Sequence, residues 1–85
     1  MKTIGMLGGM SWQSTALYYR EINEGIREKL GALHSAEIIL NSVDFEKIER
    51  LQQKGDWEAT ADILGNAARS VELAGADFLI ICTNT

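Results

Sequence analysis

The single cysteine of the sequence, Cys82, stands directly before three polar residues, Thr83, Asn84 and Thr85. A cysteine thiolate can act as a base or a nucleophile, whereas a buried free cysteine commonly behaves as a small apolar side chain. Composition alone favours neither interpretation. The hydroxyl and amide groups that follow can donate hydrogen bonds, and their backbone N–H groups are placed to open a helix. A helix N-terminus binds carboxylates and lowers the pKa of a thiol, so the segment predicts an anion-binding site with a low-pKa thiol.

A glycine-rich turn around Gly8 and Gly9 is the second candidate for binding chemistry. Its glycines allow a ligand to approach the backbone closely, and Ser11 or Ser14 can cap the helix that follows. A tight turn between a strand and a helix explains the same residues without a ligand, and for the turn taken alone we favour that interpretation. The glycine spacing fits neither the dinucleotide-binding fingerprint nor the phosphate-binding loop, so the turn does not indicate a nucleotide.

A charged stretch at residues 45–54 follows the second predicted strand. A helix with a solvated face and i,i+4 charge pairs is the simpler interpretation, with Asp44 as its N-cap. The alternative is that Gln52, or a cation such as Lys47 or Arg50, reaches into the binding site and holds a second carboxylate. We favour the solvated helix for the cations and keep both interpretations open.

Apolar runs predict three strands, and amphipathic stretches between them predict three helices. The strands are predicted at residues 3–7, 37–43 and 78–81, and the helices at residues 14–30, 45–54 and 57–74. We expect the first helix to bury a stripe with 3–4 spacing, made of Thr15, Tyr19, Ile22, Ile26 and Leu30. Gly31 is expected to end that helix, and Asp56 to cap the third.

Strands that are apolar throughout, separated by amphipathic helices, indicate a parallel sheet that is covered on both faces. The sequence therefore predicts an α/β three-layer sandwich with the order β-α-β-α-α-β. In such sheets, ligands bind beyond the carboxyl ends of the strands. We therefore expect the glycine turn, Asp44 and the Cys82 segment to meet at one edge, although they are far apart in the sequence.

Composition excludes several classes of function. The 85 residues carry a net charge of −4 with scattered basic residues, which argues against a nucleic-acid partner. No apolar run approaches the roughly 20 residues of a membrane span. One cysteine permits no internal disulfide, and the sequence begins almost directly with a strand, so we expect no signal peptide and a cytoplasmic protein. His34 is expected at the surface, and no metal site is expected because it has no partner ligands.

Segments spread along the whole chain are similar to the aspartate/glutamate racemase family, and closest to its broad-specificity amino-acid racemase branch. They are MKTIGMLGGMSWQST at residues 1–15, YY at 18–19, IN at 22–23, SVDF at 42–45 and CTNT at 82–85. The resemblance implies two similar α/β domains with the active site between them and no cofactor, PLP included. Residues 1–85 would then be the N-terminal part of the first domain, with its remainder and the second domain absent.

The resemblance also implies a mechanism in which two cysteines face opposite sides of the substrate α-carbon. Cys82 matches the first cysteine of the family. Thr83, Asn84 and Thr85 match the segment that holds the α-carboxylate. Two further matches concern substrate binding, with Met10 lining the site and Gln52 near the position that recognises the substrate side chain. The substrate would be a small amino acid or dicarboxylate, and the intact protein a homodimer. Without a second cysteine, we expect the 85-residue chain alone to be inactive.

Two alternatives remain. One is another member of the same superfamily, such as a hydantoin racemase or a maleate isomerase, although the GGMSW segment favours the amino-acid branch. The other belongs to a different class: a non-catalytic half-domain that binds small carboxylates weakly or associates with a second copy. An unpaired sheet edge beside Ile81 would favour such association.

Overall fold

The computed structural model describes residues 1–83, which form six elements in the order β-α-β-α-α-β. The strands are β1 (Ile4–Gly8), β2 (Ile38–Ser42) and β3 (Phe78–Ile81), and the helices are α1 (Trp12–Leu30), α2 (Phe45–Gln53) and α3 (Trp57–Leu73). The predicted α/β class and the predicted order of elements are confirmed. None of the helices in this part of the chain is long and apolar enough to cross a membrane.

The three strands form a parallel sheet with β1 at its centre, in the order β2-β1-β3. Ile4 of β1 lies beside Ile38 of β2 and Phe78 of β3, and the register continues without a shift. Each connection between parallel strands contains a helix, because the chain must return to the opposite end of the sheet before it can pair in the same direction.

Helices cover both faces of the sheet, as the three-layer prediction requires. Gly5 and Gly8 lie three residues apart on β1, so a side chain at one position would point to the opposite face of the sheet from a side chain at the other. A Cβ atom on Gly5 would lie 2.5 Å from Cγ1 of Val71 in α3, and one on Gly8 would lie 2.5 Å from Cγ2 of Thr15 in α1. The helices α1 and α3 therefore pack on opposite sides of β1.

The apolar stripe of α1 differs in part from the predicted one. Thr15 is buried and Ile22 and Ile26 are half-buried, but Tyr19 and Leu30 are each about half-exposed. Both Tyr18 and Tyr19, three and four residues after Thr15, fit a 3–4 spacing. In the structure Tyr18 is the half-buried one and Tyr19 is exposed. Leu30 lies beyond the sheet, because a 19-residue helix is about 28 Å long and a five-residue strand only about 16 Å.

The predicted helix ends are largely confirmed. The carboxylate of Asp44 accepts a hydrogen bond from the N–H of Glu46 (3.2 Å), and that of Asp56 accepts one from the N–H of Ala59 (3.1 Å). Gly31 ends α1 with a positive φ of 75°, a conformation that glycine adopts without steric cost. The start of α1 is two residues earlier than predicted, and Ser11 takes the N-cap position without a side-chain capping bond.

Candidate functional site

The carboxyl ends of the three strands meet at one edge of the sheet, as predicted from topology. The N–H of Cys82 donates to the carbonyl of Leu7 (2.9 Å), and the N–H of Val43 donates to the carbonyl of Gly8 (2.8 Å). Each neighbouring strand is therefore tied to the end of β1 by the residue that follows it. Because Cys82 and Val43 bond to consecutive residues, the thiol segment and the start of the β2–α2 connection flank the glycine turn.

The glycine turn after β1 is packed against the protein itself. A Cβ atom on Gly9 would overlap the carbonyl oxygen of Val43 and lie 2.6 Å from its nitrogen, and Gly9 has a φ of +98°. The hydroxyl of Thr15 accepts a hydrogen bond from the N–H of Gly9 (2.9 Å) and donates one to the carbonyl of Ser11 (3.2 Å). The close approach that requires glycine at position 9 is therefore made by the backbone of Val43, so a tight turn accounts for Gly9, and ligand binding at this turn stays a prediction.

The predicted substrate-binding residues differ in how close the structure places them to this edge. Met10 is half-buried in the turn directly after Gly9, and the peptide bond that follows it is cis. Gln52 lies in the last turn of α2 with an exposed side chain. Asn84 and Thr85 lie outside the described residues. The structure thus brings Met10 to the strand ends, whereas Gln52 stands on the helix that follows β2.

The thiol of Cys82 is free and completely buried at the end of β3. Burial raises the pKa of this thiol above its ordinary value, because the thiolate would lose its hydration. The lowered pKa expected from the sequence depends on a helix N-terminus at residues 83–85, of which only Thr83 is described, so that expectation stays a prediction. Within residues 1–83 the loss of hydration raises the pKa.

A contact that the sequence did not predict connects α1 to the thiol segment. The hydroxyl of Tyr18 donates a hydrogen bond to the backbone carbonyl of Thr83 (3.1 Å), 65 residues away in the sequence. Thr83 is itself half-buried and adjoins Cys82. The sequence feature that could have indicated this contact is the spacing of Tyr18, three residues after Thr15, which places both side chains on the same face of the helix.

The charged face of α2 is exposed, and a role of Gln52 or a cation in holding a second carboxylate stays a prediction. Arg50 and Glu46 form an exposed i,i+4 ion pair with an N–O distance of 3.1 Å, and Lys47 is exposed. His34 is exposed, as predicted. Within residues 1–83, no group of three or more His, Cys, Asp or Glu side chains is arranged to hold a metal ion. The groups that the structure places at the strand ends are the Cys82 thiol, the glycine turn with the Thr15 hydroxyl, and Asp44, which follows Val43 and caps α2.

Similarity to known proteins identifies the family. The sequence profile of the Asp/Glu/hydantoin racemase family matches residues 7–85. The chain belongs to this family. One similar solved structure is that of a candidate Asp/Glu racemase from Yersinia pestis, with 57% identity and a TM-score of 0.94. Another is an aspartate racemase homologue from Pyrococcus horikoshii, with 37% identity and a TM-score of 0.86. In each case the match covers 99% of this racemase-family chain but 36% of the other chain, so the chain spans about a third of their length.

Proposed function

We propose that this chain is the N-terminal part of the first domain of a cofactor-independent amino-acid racemase that acts on an acidic amino acid such as aspartate or glutamate. The observation that carries the proposal is the position of Cys82. Its thiol lies at the carboxyl end of β3, where the bond to Leu7 holds it beside the glycine turn that ends β1. In open α/β sheets this edge is where ligands bind.

Racemisation through two thiols requires one on each side of the substrate α-carbon. One thiolate removes the α-proton, and the thiol on the opposite side gives a proton to the resulting carbanion, which inverts the configuration. A single base would return the proton to the face from which it came. Cys82 is the only cysteine of the chain, so the second must come from elsewhere, and the 85-residue chain alone is expected to be inactive.

The remaining roles follow from the residues near the thiol. Thr83, Asn84 and Thr85 would hold the α-carboxylate through hydroxyl, amide and backbone donors, and Met10 would line the site from the glycine turn. Gln52 would contact the substrate side chain. Burial raises the pKa of the Cys82 thiol in the 85-residue chain and so favours its protonated form, the form that would give a proton to the carbanion. To act as the base instead, the thiol would need different surroundings in the complete active site. The proposal includes a cytoplasmic, homodimeric intact protein.

The experiment measures exchange of the α-proton in D₂O with single enantiomers of aspartate and glutamate. The longest form of the gene product should incorporate deuterium and racemise the substrate, and the 85-residue chain should do neither. In the longer form, Cys82→Ala should lower the rate of racemisation at least about 10³-fold, because inversion needs a proton-transfer group on each side of the α-carbon and one of them is lost. A carbonyl reagent that traps PLP should leave the rate unchanged.

Two results would overturn this function. One is a longer form that exchanges no α-proton on any amino acid, and the other is full activity in Cys82→Ala. The same protein is also given a hydantoin or maleate as substrate. Racemisation of the hydantoin would indicate a hydantoin racemase, and isomerisation of maleate would indicate a maleate isomerase.

A second candidate is a half-domain that associates with another copy and has no catalytic role. The observation that favours it is the exposure of apolar side chains along β3, including Leu79 and Ile81. Self-association of the 85-residue chain can be measured independently of racemase activity, so the two candidates can be separated.

A further inference from the structure

Cys82 is held in place from both sides along the backbone. Its own N–H donates to the carbonyl of Leu7 at the end of β1 (2.9 Å), and the carbonyl of the next residue, Thr83, accepts from the hydroxyl of Tyr18 (3.1 Å). The first bond belongs to the sheet and the second to α1. The thiol therefore lies between two fixed points that come from different layers of the fold.

The position of Tyr18 is itself fixed by the glycine turn. Thr15, about one helical turn before it, is buried and bonds to both Gly9 and Ser11 through its hydroxyl. The first turn of α1 is therefore tied to the glycine turn by hydrogen bonds. The hydrogen bonds of Thr15 thus anchor the start of α1 to the glycine turn, and three residues later the same helix reaches the backbone beside the thiol through Tyr18.

We propose that Tyr18 is a positioning residue that sets the burial and orientation of the Cys82 thiol by holding the carbonyl of Thr83. The consequence for catalysis rests on the proposed function, because proton transfer to an α-carbon tolerates little displacement of the thiol. A misplacement of about 1 Å can cost about 100-fold in rate. The effect on the thiol itself does not depend on any enzymatic activity.

The test is the rate at which iodoacetamide alkylates Cys82 in the 85-residue chain, measured as a function of pH. Tyr18→Phe removes only the hydroxyl. The matched control is Tyr19→Phe, the same chemical change at the neighbouring, half-exposed tyrosine. We expect Tyr18→Phe to raise the alkylation rate about three- to tenfold, the effect of losing one hydrogen bond that closes the segment. We also expect the midpoint of the pH profile to move down toward the ordinary thiol value. Tyr19→Phe should match the unmodified chain in both respects.

A general loss of stability would also raise the alkylation rate of Cys82, because unfolding exposes the thiol. Thermal unfolding of each variant is therefore measured in parallel, and alkylation rates are compared at equal folded fractions. Replacement of Tyr18 by 4-aminophenylalanine restores a hydrogen-bond donor at the same place and should return the rate and the pH midpoint to those of the unmodified chain. If Tyr18→Phe fails to fold, 4-methylphenylalanine at position 18 takes its place, because it fills the space of the hydroxyl without donating a hydrogen bond, and it should show the same faster alkylation and lower pH midpoint. Equal profiles for the two Phe variants, or no protection by 4-aminophenylalanine, would overturn the proposal.

The longer gene product provides a separate readout. There, Tyr18→Phe should lower kcat more than it raises KM, since the thiol and not the substrate is displaced. Tyr18→Phe could change the pH dependence of Cys82 alkylation in a longer form that shows no racemase activity. That result would support the positioning role and reject the proposed function. The two failures are therefore distinguishable.

Discussion

At the scale of single residues, burial of the Cys82 thiol couples its protonation to the stability of the fold. The pKa of this thiol is raised by burial, so the folded state holds the proton more tightly than the unfolded state does. The resulting stabilisation is fully present below the pKa of the unfolded-state thiol. It is lost as the pH rises through the raised pKa of the folded state, because the unfolded state then releases its proton first.

We therefore expect the free energy of unfolding to fall as the pH rises above about 8.5, the unperturbed thiol value. Urea titrations at a series of pH values measure this dependence. Tyrosine and lysine side chains also titrate in alkaline solution, so the decisive quantity is the difference between the unmodified chain and Cys82→Ala. The variant should have the flatter pH dependence, and parallel curves for the two proteins would contradict the expectation.

The sequence predicted the position of Cys82 better than it predicted the pKa of its thiol. The apolar run before it and the rule for parallel sheets were sufficient to place it at a strand end beside the glycine turn. Its pKa depends on how completely the folded chain excludes water from the sulfur, which no local pattern encodes. Tyr18 was missed for a similar reason, because its hydrogen-bond partner is a backbone carbonyl 65 residues away.

At the scale of elements, the turn between β1 and α1 depends on Gly9 more than its sequence pattern reveals. A side chain there would collide with the backbone of Val43, which is held by its bond to the carbonyl of Gly8. Its φ of +98° is also unfavourable for any residue with a Cβ atom. Since the colliding atoms belong to the backbone, a rotamer change cannot relieve the overlap.

Gly9→Ala should lower the free energy of unfolding by about 3 kcal/mol or more, from the backbone strain and the overlap together. The same substitution at Gly25 is the matched control. Gly25 lies inside α1 with open space around the position of a Cβ atom, so Gly25→Ala should raise stability by about 0.5–1 kcal/mol. Denaturant titrations compare the two variants, and a Gly9→Ala protein as stable as Gly25→Ala would refute the packing account.

The elements themselves were predictable because each carries its own signals, namely apolar runs for the strands and Asp44, Asp56 and Gly31 at helix ends. The start of α1 was not, because Ser11 and Ser14 are both suitable cap residues and the sequence does not distinguish them. The buried stripe of α1 was wrong at Tyr19 for a related reason. Periodicity identifies an apolar face, but the exact side that meets the sheet depends on how the helix is placed over it.

At the scale of the whole molecule, β3 is more exposed than its sequence suggests. All four of its residues are apolar, which is typical of a strand covered on both faces. Yet Phe78, Leu79 and Ile81 are each 40% exposed or more, and β3 forms an edge of the sheet within residues 1–83. A cavity of about 460 Å³ lies between β3 and α3 and includes Leu79 in its lining.

Backbone groups along this edge can pair with another strand. In a parallel ladder, alternate residues direct their N–H and C=O groups to the same neighbour. The bond from Cys82 to Leu7 places the even-numbered residues of β3 against β1, which directs the backbone groups of Leu79 and Ile81 away from it. Exposed apolar side chains beside an open edge favour the pairing of β3 with the same strand of a second copy.

We therefore expect the 85-residue chain to self-associate in a concentration-dependent way, and Ile81→Lys to weaken this association at least about tenfold. The charge would be buried without a partner in a paired edge, as in the lysines that protect natural edge strands. Leu33→Lys is the control, since Leu33 is 99% exposed in the turn after α1 and far from the edge in the sheet order. Sedimentation velocity over a range of concentrations measures both variants. Equal dissociation constants for the two would show that the copies meet through another surface, and a monomeric unmodified chain would rule out the self-associating half-domain as a function.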